Sequence, residues 1–151
     1  IFISNRKKSR ARPGCSKAYA IMKVMKNSPF VLVVDDDSQL VDLFTAKLTG
    51  AGFTVKKTYN GKEGYQAAKA GKPDLILLDL KMPVMDGAET LNQLHADPDT
   101  KDIKVVILSS FNDWSAIKMT QDTARALGAV DFFEKGIDLD ELVKKIRSLV
   151  Q

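Results

Sequence analysis

Cysteine and histidine are almost missing from these 151 residues, with one of each, Cys15 and His95. A lone cysteine cannot close an intrachain disulfide, so a reducing compartment, the cytoplasm, suits the chain best. Long apolar runs are missing too. None exceeds the length of a strand, which excludes a membrane-crossing helix. Acidic residues are missing from one place only: residues 1–28 hold eight Lys or Arg and no Asp or Glu. The other 15 bases share residues 29–151 with all 19 acids, so the net charge of +4 comes from the leading segment and the remainder is mildly acidic. Direct nucleic-acid binding by that remainder is therefore not expected. Residues 1–28 show no sustained hydrophobic period and read as a basic N-terminal arm, either disordered or a leader ahead of a fold that starts after Met22 and Met25. The length suits one domain, over residues 29–151.

What is present in those residues is a regular alternation. Phe30 to Val34 reads as a buried strand, followed by the capping cluster Asp35-Asp36-Asp37-Ser38 and a helix with Leu40, Val41, Phe44 and Leu48 on one face, ending at Gly50-Ala51-Gly52. Phe53 to Tyr59 is a second strand whose Lys56 and Lys57 suit a sheet edge, and Asn60-Gly61 is read as a turn into a helix over 62–70. Leu75 to Leu78 is a strand that runs into Asp79, and a helix follows over 87–96. Lys104 to Ser110 is the fourth strand, 113–127 the fourth helix, and Ala129 to Phe133 the fifth strand. The last helix opens at Asp138 and carries Leu139, Leu142, Val143, Ile146, Leu149 and Val150 on one stripe. Strict alternation with right-handed crossovers predicts an α/β fold: a doubly wound five-stranded parallel sheet of flavodoxin-like order 2-1-3-4-5, with five helices.

That order makes strands one and three neighbours, and such sheets bind ligands at the carboxyl ends of their strands. Asp35, Asp36 and Asp79 converge there, with Ser109 at the end of strand four and Lys135 just past strand five. Ionised carboxylates this close call for a cation, and hard oxygen donors point to Mg²⁺. Asp79, ionised at neutral pH, could then attack phosphorus without a general base, and Ser109 and Lys135 could bind the phosphoryl oxygens. Asp37 reads as a helix cap, His95 as a solvated residue, and Trp114 as packing at the start of helix four.

VLVVDDDS, LLDLKMPVMDG, VVILSS and GAVDFFEKG, in this order, resemble the receiver domain of two-component response regulators, a CheY-like fold. The resemblance implies a phosphoacceptor switch with Asp79 as phosphoacceptor. It further implies Asp36 and, through water, Asp35 on Mg²⁺, and the Lys81 backbone carbonyl as a further metal ligand. Ser109 would be the switch hydroxyl, Phe132 the switch aromatic and Lys135 the phosphate-binding lysine. It implies a histidine kinase or phosphotransfer protein as donor and a downstream effector protein, with a phosphorylation-dependent dimer through the helix 4–strand 5–helix 5 face as a further option. Such a domain catalyses only its own phosphorylation and dephosphorylation and is not otherwise an enzyme. Gly136 departs from the family's usual proline after the lysine. An excised receiver of a larger regulator or hybrid kinase, or a phosphorylation-silent docking receiver, is the alternative. A haloacid-dehalogenase-type phosphatase fits poorly, because Lys81 stands where its second Asp would be. A flavin- or nucleotide-binding module fits poorly because Asp35-Asp36-Asp37 replaces a phosphate loop.

Overall fold

Side chains alternate between the two faces of a strand, so a strand covered on both faces must be apolar throughout. Three strands meet that demand in the computed structural model, which describes residues 28–110 and 120–151. β1 (Phe30–Val34), β3 (Leu75–Asp79) and β4 (Lys104–Ser109) are buried over nearly their whole length. β2 (Thr54–Thr58) and β5 (Asp131–Glu134) are half-open and stand at the edges. All pairs are parallel and the order is β2-β1-β3-β4-β5, as the alternation predicts.

The helices are α1 (Ser38–Gly50), α2 (Gly61–Gly71), α3 (Gly87–Ala96), α4 (Gln121–Ala126) and α5 (Leu139–Val150). Val31, Val33, Leu75, Leu77, Val106 and Leu108 point to one face, where Phe44 and Leu48 of α1 and Leu142 and Ile146 of α5 cover them. Leu32, Val34, Ile76, Leu78 and Val105 point to the other, against Ala67 and Ala68 of α2 and Leu91 and Leu94 of α3. Each fully buried side chain of this size contributes about 1.5–3 kcal/mol, so the two layers dominate stability.

Several element ends differ from the pattern for local reasons. β2 is a residue shorter at both ends, because Phe53 turns into the core and its amide bonds Leu48 O, while the Tyr59 amide faces Glu63 Oε2 at 3.4 Å. Asn60 is the N-cap of α2, its side chain accepting from the Glu63 amide at 2.9 Å, so Asn60-Gly61 starts the helix instead of forming a free turn. β4 ends at Ser109, one residue early. β5 begins at Asp131 and ends at Glu134, because Gly128 (φ +95°) reverses the chain and the Ala129 amide still bonds Ala124 O of α4. The continuous helix expected over 113–127 is not found: Thr120 is extended and caps α4 by accepting from the Thr123 amide, so α4 begins at Gln121 and ends at Ala126. The expectations for the leading arm and for Trp114 fall on residues 1–27 and 111–119, outside the described residues.

Candidate functional site

Register builds the site. Val34 pairs with Leu78 and Asp79 with Leu108, so the residues that leave β1 and β3 emerge side by side. The three aspartates after β1 separate by role. Asp35 is fully buried and Asp36 exposed, while Asp37 caps α1 by accepting from the Gln39 and Leu40 amides. Asp79, the last residue of β3, is 1% exposed. One carboxylate oxygen from each of Asp35, Asp36 and Asp79 lies within 4.8 Å of the others.

Lys135 reaches into this cluster. β4 pairs Ser109 with Glu134, and the Lys135 amide bonds Ser109 O at 2.8 Å, which fixes the lysine at the same end of the sheet. Its Nζ stands 3.0 Å from Asp35 Oδ2 and 3.2 Å from Asp79 Oδ2. The remaining oxygens are held by backbone: Asp35 Oδ1 accepts from the Asp37 amide at 2.9 Å and Asp79 Oδ1 from the Lys81 amide at 3.3 Å.

Three carboxylates share one ammonium, so their charged forms raise one another's energy. Burial, then the charge of Asp35, pushes the Asp79 carboxyl up to about 7, against the pull of Lys135. Asp35 is raised by burial as well, opposed by the Asp37 amide and Lys135. Burial works against the Lys135 charge, but its bonds to Asp35 and Asp79 outweigh that and hold its pKa above the ordinary lysine value. Asp35 Oδ2 is buried and accepts no hydrogen bond of good geometry, its contact with Lys135 being ionic. Three clustered carboxylates that share one lysine, an all-oxygen donor set with one exposed member, fit a small divalent cation such as Mg²⁺.

The other sequence-derived residues lie around this core. Ser109 ends β4 and is buried. Phe132 is half-buried on β5, packed against Leu80, Ile107, Ala124 and Ala129. Lys81 lies in the β3–α3 loop with its side chain exposed, and His95 is exposed near the end of α3. A groove of about 470 Å³ runs along the β5–α5 edge, lined among others by Asp131, Phe132, Glu134 and Glu141. Sequence reasoning missed the shape of the β3–α3 loop. Val84 adopts φ +70° while the Met85 amide bonds Pro83 O at 2.8 Å, a γ-turn that nothing in Pro83-Val84 announces.

Comparison with known proteins gives a consistent picture. The response regulator receiver domain model matches residues 31–147. The DNA-binding dual master transcriptional regulator RpaA of Synechocystis sp. is 34% identical over 125 residues, covering 82% of this chain and 49% of that protein. A protein-glutamate methylesterase/protein-glutamine glutaminase of Natronomonas pharaonis is 39% identical over 136 residues, covering 83% of this chain and 37% of its own. Among solved structures, the N-terminal domain of a response regulator receiver protein from Methanoculleus marisnigri superposes with a TM-score of 0.62 at 35% identity, covering 79% of this chain and 94% of that one. The chain spans about half the length of the curated transcriptional regulators it matches.

Proposed function

The chain belongs to the response regulator receiver family of two-component signalling, and from that premise we propose that Asp79 is its phosphoacceptor. The observation that carries this is the Lys135 ammonium bridging Asp79 and Asp35 at the carboxyl ends of β1 and β3, beside exposed Asp36.

The chemistry is a displacement at phosphorus. An Asp79 oxygen forms the new O–P bond as the P–N bond of a phosphohistidine donor breaks and its electron pair leaves with the imidazole. Asp79 must be ionised to attack, yet burial raises its pKa to about 7, so the residues around it have to favour the anion. Lys135 does so directly at 3.2 Å. Asp35, Asp36, Asp79 and the Lys81 carbonyl would hold Mg²⁺, which when bound neutralises the carboxylates and the phosphoryl oxygens. After transfer Lys135 follows the phosphoryl group, and the Ser109 hydroxyl turns toward it. Phe132, packed on Ala124 of α4, moves into the space that opens, so phosphorylation is read out along α4, β5 and α5. Hydrolysis of the acyl phosphate resets the switch, so the domain acts as a catalyst only on itself. We place the receiver at residues 29–151 and the basic arm at 1–28, in a cytoplasmic setting, with a histidine kinase or phosphotransfer protein as donor and an effector protein as reader. Phosphorylation-dependent dimerisation through the α4–β5–α5 face belongs to the same reading.

Intact mass after incubation with acetyl phosphate and Mg²⁺ tests it. The expected result is a single phosphoryl adduct on the wild type, lost with EDTA and lost in Asp79→Asn. An adduct that persists in Asp79→Asn would overturn the assignment.

A further inference from the structure

The β3–α3 loop carries the Lys81 carbonyl, yet it is built in a conformation that costs energy. Val84 is β-branched and 80% exposed, and it holds φ +70°. A backbone of that kind persists only where its surroundings dictate it. Within the chain's own hydrogen bonds, the Gly87 amide ties to Leu80 O at 2.9 Å and the Thr90 hydroxyl donates to Asp86 O at 2.7 Å, so the two ends of the loop are pinned. Past exposed Val84, the loop rests at Met85 against the first residue of α2. A Cβ at Gly61 would stand 2.0 Å from Thr90 Oγ1 and 2.5 Å from the Met85 carbonyl oxygen. No side chain fits there, and the helix backbone itself is the wall against which the loop rests.

Resting on the reading of Asp35, Asp36 and Asp79 as the Mg²⁺ and phosphoryl site, we infer that Gly61 is a positioning residue for it. By letting the α2 corner close on Met85 and Thr90, it fixes the β3–α3 loop and with it the place of the Lys81 carbonyl. An added methyl group must displace the Thr90 hydroxyl and, beyond it, the Met85 backbone oxygen, which cannot swing aside as a side chain can. The Met85 carbonyl would have to withdraw by roughly half an ångström to reach the 3.0 Å below which real Cβ contacts essentially never occur. Mg²⁺ demands near-octahedral oxygens at about 2.0–2.1 Å and does not absorb a shift of that size, whereas Ca²⁺ accepts about 2.3–2.6 Å in flexible geometry. The wall therefore discriminates between ions, as a mere packing contact would not.

The test titrates the 151-residue chain with MgCl₂ and separately with CaCl₂, following backbone amide NMR shifts, for wild type, Gly61→Ala, Thr90→Val and Gly71→Ala. Gly71 ends the same helix, where a Cβ would press on the Phe30 ring at 2.9 Å, far from the site, so it controls for general loosening. In Gly61→Ala, Mg²⁺ affinity should fall about tenfold or more while Ca²⁺ affinity changes by less than about threefold. The amides of Lys81, Met82, Val84, Met85 and Asp86 should also shift in the metal-free protein. Thr90→Val, which keeps the shape but loses the bond to Asp86 O, should weaken Mg²⁺ in the same sense and serves if Gly61→Ala does not fold. Gly71→Ala should bind both ions as the wild type does. Mg²⁺ binding unchanged in both Gly61→Ala and Thr90→Val would overturn the inference, as would parallel losses for Mg²⁺ and Ca²⁺. A wild type that binds no Mg²⁺ would instead overturn the reading of the site.

Discussion

Asp35 and Asp79 meet because β1 and β3 are neighbours in register, and Lys135 together with the Asp37 and Lys81 amides offsets the cost of the meeting. Two buried acids sharing one ammonium is a costly arrangement, since each raises the energy of the other's charged form. Replacing Asp79 by Asn removes one of those charges and leaves the Lys135–Asp35 pair intact. At pH 8 without divalent ions, Asp79→Asn should therefore be more stable than wild type by about 1–3 kcal/mol in urea denaturation. Excess Mg²⁺ should narrow that gap, because it stabilises the intact site by mass action. A metal-free Asp79→Asn protein less stable than wild type would show that the site is not strained by its own charge. At this scale the sequence was informative where chemistry follows from position: Asp35, Asp36, Asp79 and Lys135 all lie at strand ends, and topology brings strand ends together. It was silent on Gly61 and Val84. A close backbone approach and a positive φ depend on what packs from elsewhere in the chain, and neither leaves a mark in local composition.

Among the elements, α2 and α3 are joined by a polar tie that the hydrophobic pattern does not reveal. Asp97, which follows α3, accepts from Tyr65 Oη of α2, pairs with Lys69 Nζ at 2.9 Å, and takes the Asp99 amide at 2.9 Å. Those three donors, the Tyr65 hydroxyl foremost, hold its carboxyl down at about 2. In the unfolded chain the same group titrates at its ordinary value of 3.8, so between the two values the unfolded state binds more protons. The tie's contribution is therefore fully present above about pH 4 and is lost as pH falls through about 2. Urea midpoints measured from pH 5 to 2 should fall less steeply in Tyr65→Phe and in Asp97→Asn than in wild type. Equal slopes would remove Asp97 from the acid response. Two helix starts were readable from their caps, since Asp37 and Asp138 each accept amides of the first turn, whereas the caps Asn60, Asp86 and Thr120 went unread. β5 was misplaced by two residues at its start because Ala129 and Val130 look like strand, yet the Ala129 amide still belongs to the helix end.

For the whole molecule the two sheet edges set how it can meet other chains. β2 presents Lys56 and Lys57, which discourage edge-to-edge pairing. β5 is four residues long and opens onto the groove, whose lining holds Asp131, Glu134, Asp138 and Glu141 against a single ammonium, Lys145. Lys145 is itself engaged, 5.3 Å from the Phe133 ring centre and 3.6 Å from Glu141. A symmetric dimer formed across this edge on phosphorylation brings acids toward acids, whereas a basic partner meets complementary charge. Ionic strength separates the two, because raising salt from 0.1 M to 1 M shortens the screening length from about 10 Å to about 3 Å. With the phosphorylated state mimicked by beryllofluoride and Mg²⁺, sedimentation of the 151-residue chain should show self-association that tightens as salt rises. Association that weakens with salt would place basic residues of the second copy against the groove. The carboxylates around Phe132 would then be a recognition surface in their own right, and the charge of the β5–α5 edge, not the apolar contact beneath it, would select the partner.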